Sequence, residues 1–285
     1  MVTRPPAPLG RKRVLTPSPV HAAADELGVP VIEAARLDQA ATDLIDALDP
    51  DLGVIVAYGG LVREPLLSRP RLGWINLHFS LLPAWRGAAP VQRALIAGDR
   101  TTGASVFHLV PELDAGDVYG RLQREVADGE TAGDLLASLS HDGAELVAQV
   151  VDALGDGTAV AVPQDGRPSF APKLTIEDAR LDWTRPTVEV DARFRGVTPE
   201  PGAFTEVAGV RLKVLDGRPH QTATADGGAA DATPAPGRVR RMGAAIVVDT
   251  ADGAFELVRV QPAGRTAMAA ADWWRGLADD EVVAG

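Results

Sequence analysis

The chain has 285 residues, 46% of them hydrophobic, which is enough for one large domain or two smaller ones with packed cores and excludes disorder of the whole chain. The absence of cysteine excludes a disulfide scaffold, thiolate catalysis and cysteine-bound zinc. With 28 basic against 39 acidic residues, the net charge is −11, so any contact with nucleic acid must come from a local basic patch.

The first segment of the chain contains such a patch. Arg4, Arg11, Lys12 and Arg13 precede the first acidic residue, Asp25, in a stretch that proline and glycine interrupt. We predict a loop, which is either simply solvated or bound to phosphate. The segment lacks the apolar core of a signal peptide, and no apolar run in the chain reaches the roughly 20 residues of a membrane span.

The first half of the chain alternates between helical and strand patterns. The apolar run DLGVIVAYGG is typical of a strand buried on both faces of a parallel sheet. In RLGWINLHFSLLP polar and apolar residues alternate with period two, so Asn76 and His78 share one face of a strand. Pro90 and Gly98 mark the first turn and the end of the next helix. This order predicts an open, parallel α/β sheet with its site at the carboxyl ends of the strands.

The second half of the chain has a different pattern. A helical segment, TAGDLLASLSHDGAELVAQVVDAL, is followed by a stretch rich in glycine and proline and then by short strand-like runs with glycine turns, which suggest a small barrel. We therefore predict a catalytic domain at residues 1–156, a linker at 157–177 and a barrel domain at 178–285. The low-complexity stretch 221–237 is predicted to be a loop.

Three polar residues are candidates for chemistry. Asn76 and His78 present an amide and an imidazole at the end of a strand, and Asp114 lies in the run ELDAGD. Each has a structural alternative, because a strand histidine is more often held by one hydrogen bond and an Asp beside Ala-Gly is more often an Asx turn or helix cap. As a set, they suit transfer of an acyl-like group to an amine, and the lack of cysteine and of a G-x-S-x-G motif favours direct transfer over an acyl-enzyme.

Two long motifs carry a family resemblance. INLHFSLLPAWRGAAPVQ (residues 75–92) followed by LDAGD (113–117) is similar to the methionyl-tRNA formyltransferases, and shorter matches such as VAYG, FAPKLT, PGAF and QPAGRTAM extend the resemblance along essentially the whole chain. The resemblance implies a Rossmann-like formyltransferase domain followed by an OB-like β-barrel. It also implies a formyl donor, 10-formyltetrahydrofolate, and an acceptor, the α-amine of methionyl initiator tRNA.

The resemblance gives each site residue an expected role. Asn76 would hold the formyl oxygen, His78 would protonate or polarise it, and Asp114 would tune His78 and relay the proton that the amine loses. The family's folate-binding turn falls on Ser80, Leu81, Leu82 and Pro83.

Other residues are expected to contact tRNA. By the same resemblance, Arg11 with Lys12 and Arg13 would approach the acceptor stem, and Lys173 would lie near the acceptor arm. The cluster Arg238 to Arg241 could meet phosphates or form a solvated turn. We expect a cytoplasmic monomer without bound metal and without DNA or membrane partners.

One departure from the family lies at the amino end. Family members begin with a strand, a turn and a helix before the stretch that corresponds to Val2-Thr3-Arg4-Pro5, so we expect that the sequence is truncated there. Two alternatives remain: a folate-dependent formyltransferase acting on a sugar nucleotide or a purine precursor, and a catalytically silent tRNA- or folate-binding remnant.

Overall fold

The computed structural model describes residues 1–10, 12–220, 235–277 and 282–285. The helices of the amino-terminal half are α1 (Pro19–Glu26), α2 (Gln39–Asp46), α3 (Pro90–Ala97) and α4 (Ala132–Gly155). Its strands are β1 (Val2–Thr3), β2 (Ala7–Leu9), β3 (Val14–Thr16), β4 (Ile32–Glu33), β5 (Gly53–Val56), β6 (Trp74–His78), β7 (Arg86–Gly87), β8 (Thr101–His108) and β9 (Val118–Glu125).

A four-stranded sheet in the order β5-β6-β8-β9 forms the centre of this half. β5 and β6 are parallel, and β1 and β4 form a separate parallel pair, whereas β8 and β9 run antiparallel to their neighbours. The predicted α/β, Rossmann-like class is confirmed, with the difference that the sheet is mixed. β8 and β9 are adjacent in sequence, and such a pair needs only the short connection that an antiparallel ladder allows.

The two faces of β6 have different environments. Ile75 and Leu77 are buried and pack in one cluster with Val150 of α4. Because side chains alternate along a strand, Asn76 and His78 point to the opposite face, as the period-two pattern predicts. The hydrophobic contact with α4 thus fixes which face carries the polar pair.

Local sequence signals set the ends of α3 and α4. α3 begins at Pro90 and ends before Gly98, which has a φ of 81°, as its sequence predicts. α4 begins after Thr131, whose side chain accepts from the backbone of Asp134 while the Asp134 carboxylate accepts from the backbone of Thr131. This reciprocal cap also lowers the pKa of Asp134, chiefly through its hydrogen bond from the Thr131 hydroxyl.

The segment predicted to be a linker packs along the first half of the molecule. Val162 forms an antiparallel bridge with Val118, and β10 (Phe170–Ala171) pairs in parallel with β7. The backbone N–H groups of Ala88 and Ala89 both donate to the carbonyl of Ala171. The segment is therefore hydrogen-bonded to the loops that follow β6.

The carboxyl-terminal half is a nearly closed antiparallel barrel, as predicted. Its strands are ordered β11-β12-β15-β14-β13-β17, with β16 beside β15. Closure comes from paired backbone hydrogen bonds between Glu206 and Gly285, each 2.9 Å long. The elements are β11 (Phe204–Val207), β12 (Val210–Pro219), β13 (Arg238–Met242), β14 (Ala245–Asp249), β15 (Ala254–Pro262), β16 (Met268–Ala269), β17 (Val282–Val283), α5 (Thr187–Gly196) and α6 (Ala270–Arg275).

Aromatic residues fill the core of the barrel. Phe255 is fully buried, and its ring lies 6.0 Å from that of Trp183 and 5.5 Å from that of Phe194, in the tilted and edge-to-face arrangements that aromatic pairs prefer. Most of the segment 221–237, predicted to be a loop, lies outside the described residues. In the ranges that the structure covers, no helix has the length and apolarity needed to cross a bilayer.

The two halves meet where α5 packs against α3. A Cβ placed at Gly196, the last residue of α5, would lie 2.6 Å from Cγ1 of Ile96 and 2.8 Å from the carbonyl oxygen of Gln92. Only glycine allows this approach, since a backbone oxygen cannot move aside as a flexible side chain can.

We expect Gly196→Ala to lower the free energy of unfolding by about 1–3 kcal/mol, because the added methyl group overpacks the contact between α3 and α5. Gly155→Ala is the matched control: Gly155 also ends a helix, but no atom lies within 4 Å of a Cβ built there. The urea midpoint of each variant, compared at equal slope, measures the difference. Equal midpoints for the two variants would contradict a tight interface.

Candidate active site

The carboxyl end of β6 and the loops beside it form a polar site. His78, the last residue of β6, is only 5% exposed. Its Nε2 lies 2.8 Å from the carbonyl oxygen of Trp85, and its Nδ1 lies 3.7 Å from Oδ2 of Asp114. Because a carbonyl oxygen can only accept, Nε2 carries the hydrogen in the first contact and Nδ1 faces the carboxylate.

Burial determines the charge of the imidazole. The loss of solvation lowers the pKa of His78 below its ordinary value of 6.5, while the Asp114 carboxylate and the Trp85 carbonyl act in the opposite direction. The ring also packs edge-to-face against Phe107 with 6.3 Å between centroids. A neutral imidazole beside a carboxylate is therefore the resting state near neutral pH.

Asp114 occupies an unusual backbone conformation. Its φ is 46°, in the left-handed region that, apart from glycine, mainly asparagine, aspartate and histidine enter. Oδ2 accepts a hydrogen bond of 2.7 Å from the backbone N–H of Gly87, which is 27 residues away in sequence. This long-range bond differs from the local Asx turn that we considered for Asp114, and it turns the carboxylate toward His78.

Asn76 lies one step from His78 along the same face of β6. It is half-buried, and its backbone pairs with Ile55 on one side and Phe107 on the other, so its position is fixed in the middle of the sheet. The structure thus brings Asn76, His78 and Asp114 to one edge of the sheet. An amide donor, an imidazole and a carboxylate placed together suit acyl-group transfer to an amine.

The turn predicted to bind folate is built largely from its own hydrogen bonds. The hydroxyl of Ser80 donates to the carbonyl of Ala84 at 2.6 Å, and Ser105 bridges the turn by donating to the carbonyl of Ser80 and accepting from the N–H of Leu82. Ser80 is fully buried and Leu82 is 2% exposed. Both side chains support the turn, whereas the partly exposed Leu81 and Pro83 are available to a ligand.

Two residues of this site were missed by the sequence analysis. Gln164 donates from Nε2 to the carbonyls of Asp114 and Gly116, both at 2.8 Å, and its Oε1 accepts from Arg86. Arg86 is 9% exposed. Arg86 lies in the WRGAAP motif but was given no role. Gln164 lies in a stretch whose composition indicated only a linker, so no local signal marked it.

The residues predicted to bind tRNA lie at the surface, apart from Arg11, which falls outside the described residues. Lys12 and Arg13 are exposed at the turn between β2 and β3. This part of the predicted loop is thus a short antiparallel hairpin. Lys173 is exposed just after β10. These positions are compatible with a contact, which remains a prediction.

The arginine cluster of the barrel, Arg238 to Arg241, lies on a strand and not in a solvated turn. Arg238 and Arg240, on β13, both form ion pairs with Asp249, at 3.0 and 2.7 Å, and the Asp249 side chain is 1% exposed. Their charges are thus engaged in holding a buried carboxylate. Arg241 is the exposed member of the cluster, and its Nε donates to the carbonyl of Gly243.

No group of three or more metal-ligating side chains occurs within the residues that the structure describes.

Residues 1–151 match the formyl transferase family, and residues 173–278 match the formyl transferase C-terminal domain. A methionyl-tRNA formyltransferase of Leifsonia xyli subsp. xyli is 60% identical over 283 residues, which are 99% of this chain and 91% of that protein. One from Clavibacter sepedonicus is 56% identical over 285 residues, covering 100% of this chain and 90% of the relative.

Among solved structures, HypX from Aquifex aeolicus in complex with tetrahydrofolic acid has a TM-score of 0.64 at 18% identity, over 90% of this chain and 44% of that one. At that identity the likeness shows the fold alone. The two matched regions and the two relatives, however, span nearly the whole sequence. The chain therefore belongs to the methionyl-tRNA formyltransferase family, whose members are formyl-group transferases.

Proposed function

We propose that the protein transfers the formyl group of 10-formyltetrahydrofolate directly to the free α-amino group of methionyl initiator tRNA, for the initiation of translation. The observation that carries the proposal is the placement of His78 and Asp114, 3.7 Å apart, on the face of β6 that also bears Asn76. Family membership supports the same donor and acceptor. The cytoplasmic location and the monomeric state remain predictions.

The proposed reaction has one tetrahedral intermediate. The amine nitrogen bonds to the formyl carbon, the bond from that carbon to N10 of the folate breaks, and the proton that the amine loses is transferred to N10. The Asn76 amide would donate to the developing oxyanion, and His78, with its Nε2–H turned from the Trp85 carbonyl to the substrate, would polarise or protonate the same oxygen. Asp114 would hold the imidazole in its orientation and accept the proton from the amine.

The environment of Asp114 suits the proposed role of orienting the imidazole and accepting the proton. The N–H of Gly87 fixes one carboxylate oxygen at 2.7 Å, and the side chain is 11% exposed, so the group is oriented and largely shielded from water. The neutral state of His78 leaves a lone pair on Nδ1 next to it. A proton entering this pair can therefore be shared between an imidazole and a carboxylate, as a relay requires.

The acceptor must approach a protein of net charge −11. We propose that Lys12 and Arg13 on the β2–β3 hairpin, together with Lys173 and with Arg11, which lies outside the described residues, provide the local positive surface that attracts the phosphates. Arg238 and Arg240 contribute less than their number suggests, because the Asp249 carboxylate offsets one of their two charges.

The test is single-turnover formyl transfer from 10-formyltetrahydrofolate to charged initiator tRNA, with uncharged tRNA and an amino-sugar nucleotide as control acceptors. Formylation of the charged tRNA alone would support the proposal. Transfer only to the sugar nucleotide would identify the alternative acceptor, and binding of tRNA or folate without transfer would identify a silent binding protein.

We expect His78→Ala to lower kcat by about 10²–10⁴-fold and Asn76→Ala by about 10²–10³-fold, since one removes a proton-transfer group and the other an oxyanion donor. Asp114→Asn should also lower kcat. The Kd for charged tRNA, measured by filter binding, should change little in all three variants. A parallel loss of tRNA binding in all of them would indicate misfolding and contradict these roles.

The pKa of His78 provides a second prediction. Burial lowers this pKa, and the negative charge of Asp114 raises it, so Asp114→Asn should lower it further. The proton NMR signal of the imidazole, assigned with His78→Gln and followed against pH, measures both values. Asp117→Asn removes an exposed carboxylate from the same loop and serves as the control. An unchanged or higher pKa in Asp114→Asn would contradict the electrostatic coupling.

The basic hairpin can be tested by its salt dependence. Replacing Lys12 and Arg13 together by alanine should weaken tRNA binding and reduce the slope of log K against log salt by up to about 2, because each phosphate contact contributes about one. Turnover at saturating tRNA should stay near that of the parent protein. Arg100→Ala, an exposed cation before β8, is the control. An unaltered slope would exclude the hairpin from the tRNA contact.

A further inference from the structure

We propose that Gln164 is a positioning residue that holds Asp114 in its catalytic orientation, so that the segment between the two domains completes the active site. The inference rests on the proposed function of Asp114. It is drawn from the hydrogen bonds of Gln164 and Arg86 and from the backbone of the loop that carries Asp114.

The Gln164 side chain can bind in one orientation only. Its Nε2 lies 2.8 Å from the carbonyl oxygens of both Asp114 and Gly116, which can only accept. Its Oε1 lies 2.7 and 3.2 Å from two nitrogens of Arg86, which can only donate. The amide therefore uses both of its N–H groups and both oxygen lone pairs. Exchanging its nitrogen and oxygen would place the oxygen against carbonyl acceptors and the nitrogen against the Arg86 donors.

These bonds act where the backbone needs support. Asp114, with its φ of 46°, is held in the left-handed backbone region, which most residues that carry a side chain disfavour. Two residues later, a Cβ at Gly116 would lie 1.8 Å from the carbonyl oxygen of His108, so the loop is packed against the end of β8. Gln164 binds the carbonyls of both residues and thus spans the strained turn.

The oxygen of the Gln164 amide binds the residue next to Gly87, whose N–H holds the Asp114 carboxylate. Arg86, which Gln164 binds, directly precedes Gly87, whose N–H donates to Oδ2 of Asp114. Gly87 has a φ of 120°, and a Cβ there would lie 2.8 Å from the carbonyl oxygen of Ala171 on β10. The segment around Gln164 therefore fixes both the loop that presents the carboxylate and the strand that anchors it.

The separation of these elements in sequence makes the contact informative. Gln164 is 50 residues from Asp114 and 78 from Arg86, and it is half-buried between exposed neighbours. Pro163 and Asp165 on either side are exposed, so this one side chain reaches into the site. Movement of the segment would change the distance between Asp114 and His78 without altering either residue.

The decisive variant is Gln164→Glu, which keeps the size of the side chain and an acceptor for Arg86 but replaces the two N–H donors with oxygen. We expect kcat for formyl transfer to fall about 10–100-fold, as for other groups that orient reactive residues, with the KM values for folate and tRNA within about twofold. Asp165→Asn, the exposed neighbour, is the matched control and should retain the parent kcat.

A second readout does not depend on turnover. If Gln164 holds the Asp114 carboxylate near His78, the uncharged variant Gln164→Met should lower the NMR-measured pKa of His78 toward the value in Asp114→Asn. In the double variant with Asp114→Asn, the Gln164→Glu substitution should cause little further loss of kcat. This result distinguishes positioning from general stability, since a merely structural role would leave the pKa unchanged.

Three outcomes would overturn the inference: a parent-like kcat, a lowered kcat with an unchanged pKa of His78, or full additivity with Asp114→Asn. Gln164→Met, which adds no charge, replaces Gln164→Glu if the latter does not fold, and the same three criteria apply to it. Should the parent protein lack transferase activity while the pKa still shifts as expected, the proposed function would fail but the positioning contact would stand.

Discussion

The hydrogen bond from the backbone of Gly87 to the carboxylate of Asp114, 2.7 Å long, joins the two loops on which the site depends. One loop follows β6 and the other follows β8, and neither belongs to the four-stranded sheet at this point. β7, which contains Gly87, pairs with β10, and this pairing helps to hold the N–H of Gly87 in place. The segment predicted to be a linker thus supports the loop that orients the Asp114 carboxylate.

The sequence predicted those parts of the site that depend on local order. Period-two alternation placed Asn76 and His78 on one face of β6, and Pro90 and Gly98 marked the limits of α3, because these features arise from backbone geometry within a few residues. Asp114 could be associated with them by its residue type and by the family resemblance, but not by its position in the chain. Its distance from His78 depends on the packing of loops that are far apart in the chain.

Other features could not be predicted because composition does not encode long-range contacts. Gln164 belongs to a stretch whose composition indicates a linker, yet its amide is saturated by groups 48 to 78 residues away. Arg238 and Arg240 belong to a cluster that the sequence marked as phosphate-binding or as a solvated turn, and the structure shows them on a strand, as partners of the buried Asp249. In both cases the function of a polar side chain follows from which group it meets, and that is decided by the tertiary fold.

Burial has opposite consequences for the two charged clusters of the molecule. At Asp249 two arginines compensate the buried carboxylate, so the cluster is satisfied and static. At His78 the loss of water favours the neutral ring while Asp114 favours the charged one, and neither partner fully satisfies the other at 3.7 Å. The His78 pair therefore differs from the Asp249 cluster, in which the ion pairs are 3.0 and 2.7 Å long. The distance between His78 and Asp114 depends on the loops that present them, so the groups that hold those loops, Gly87 and Gln164, matter as much as the pair itself.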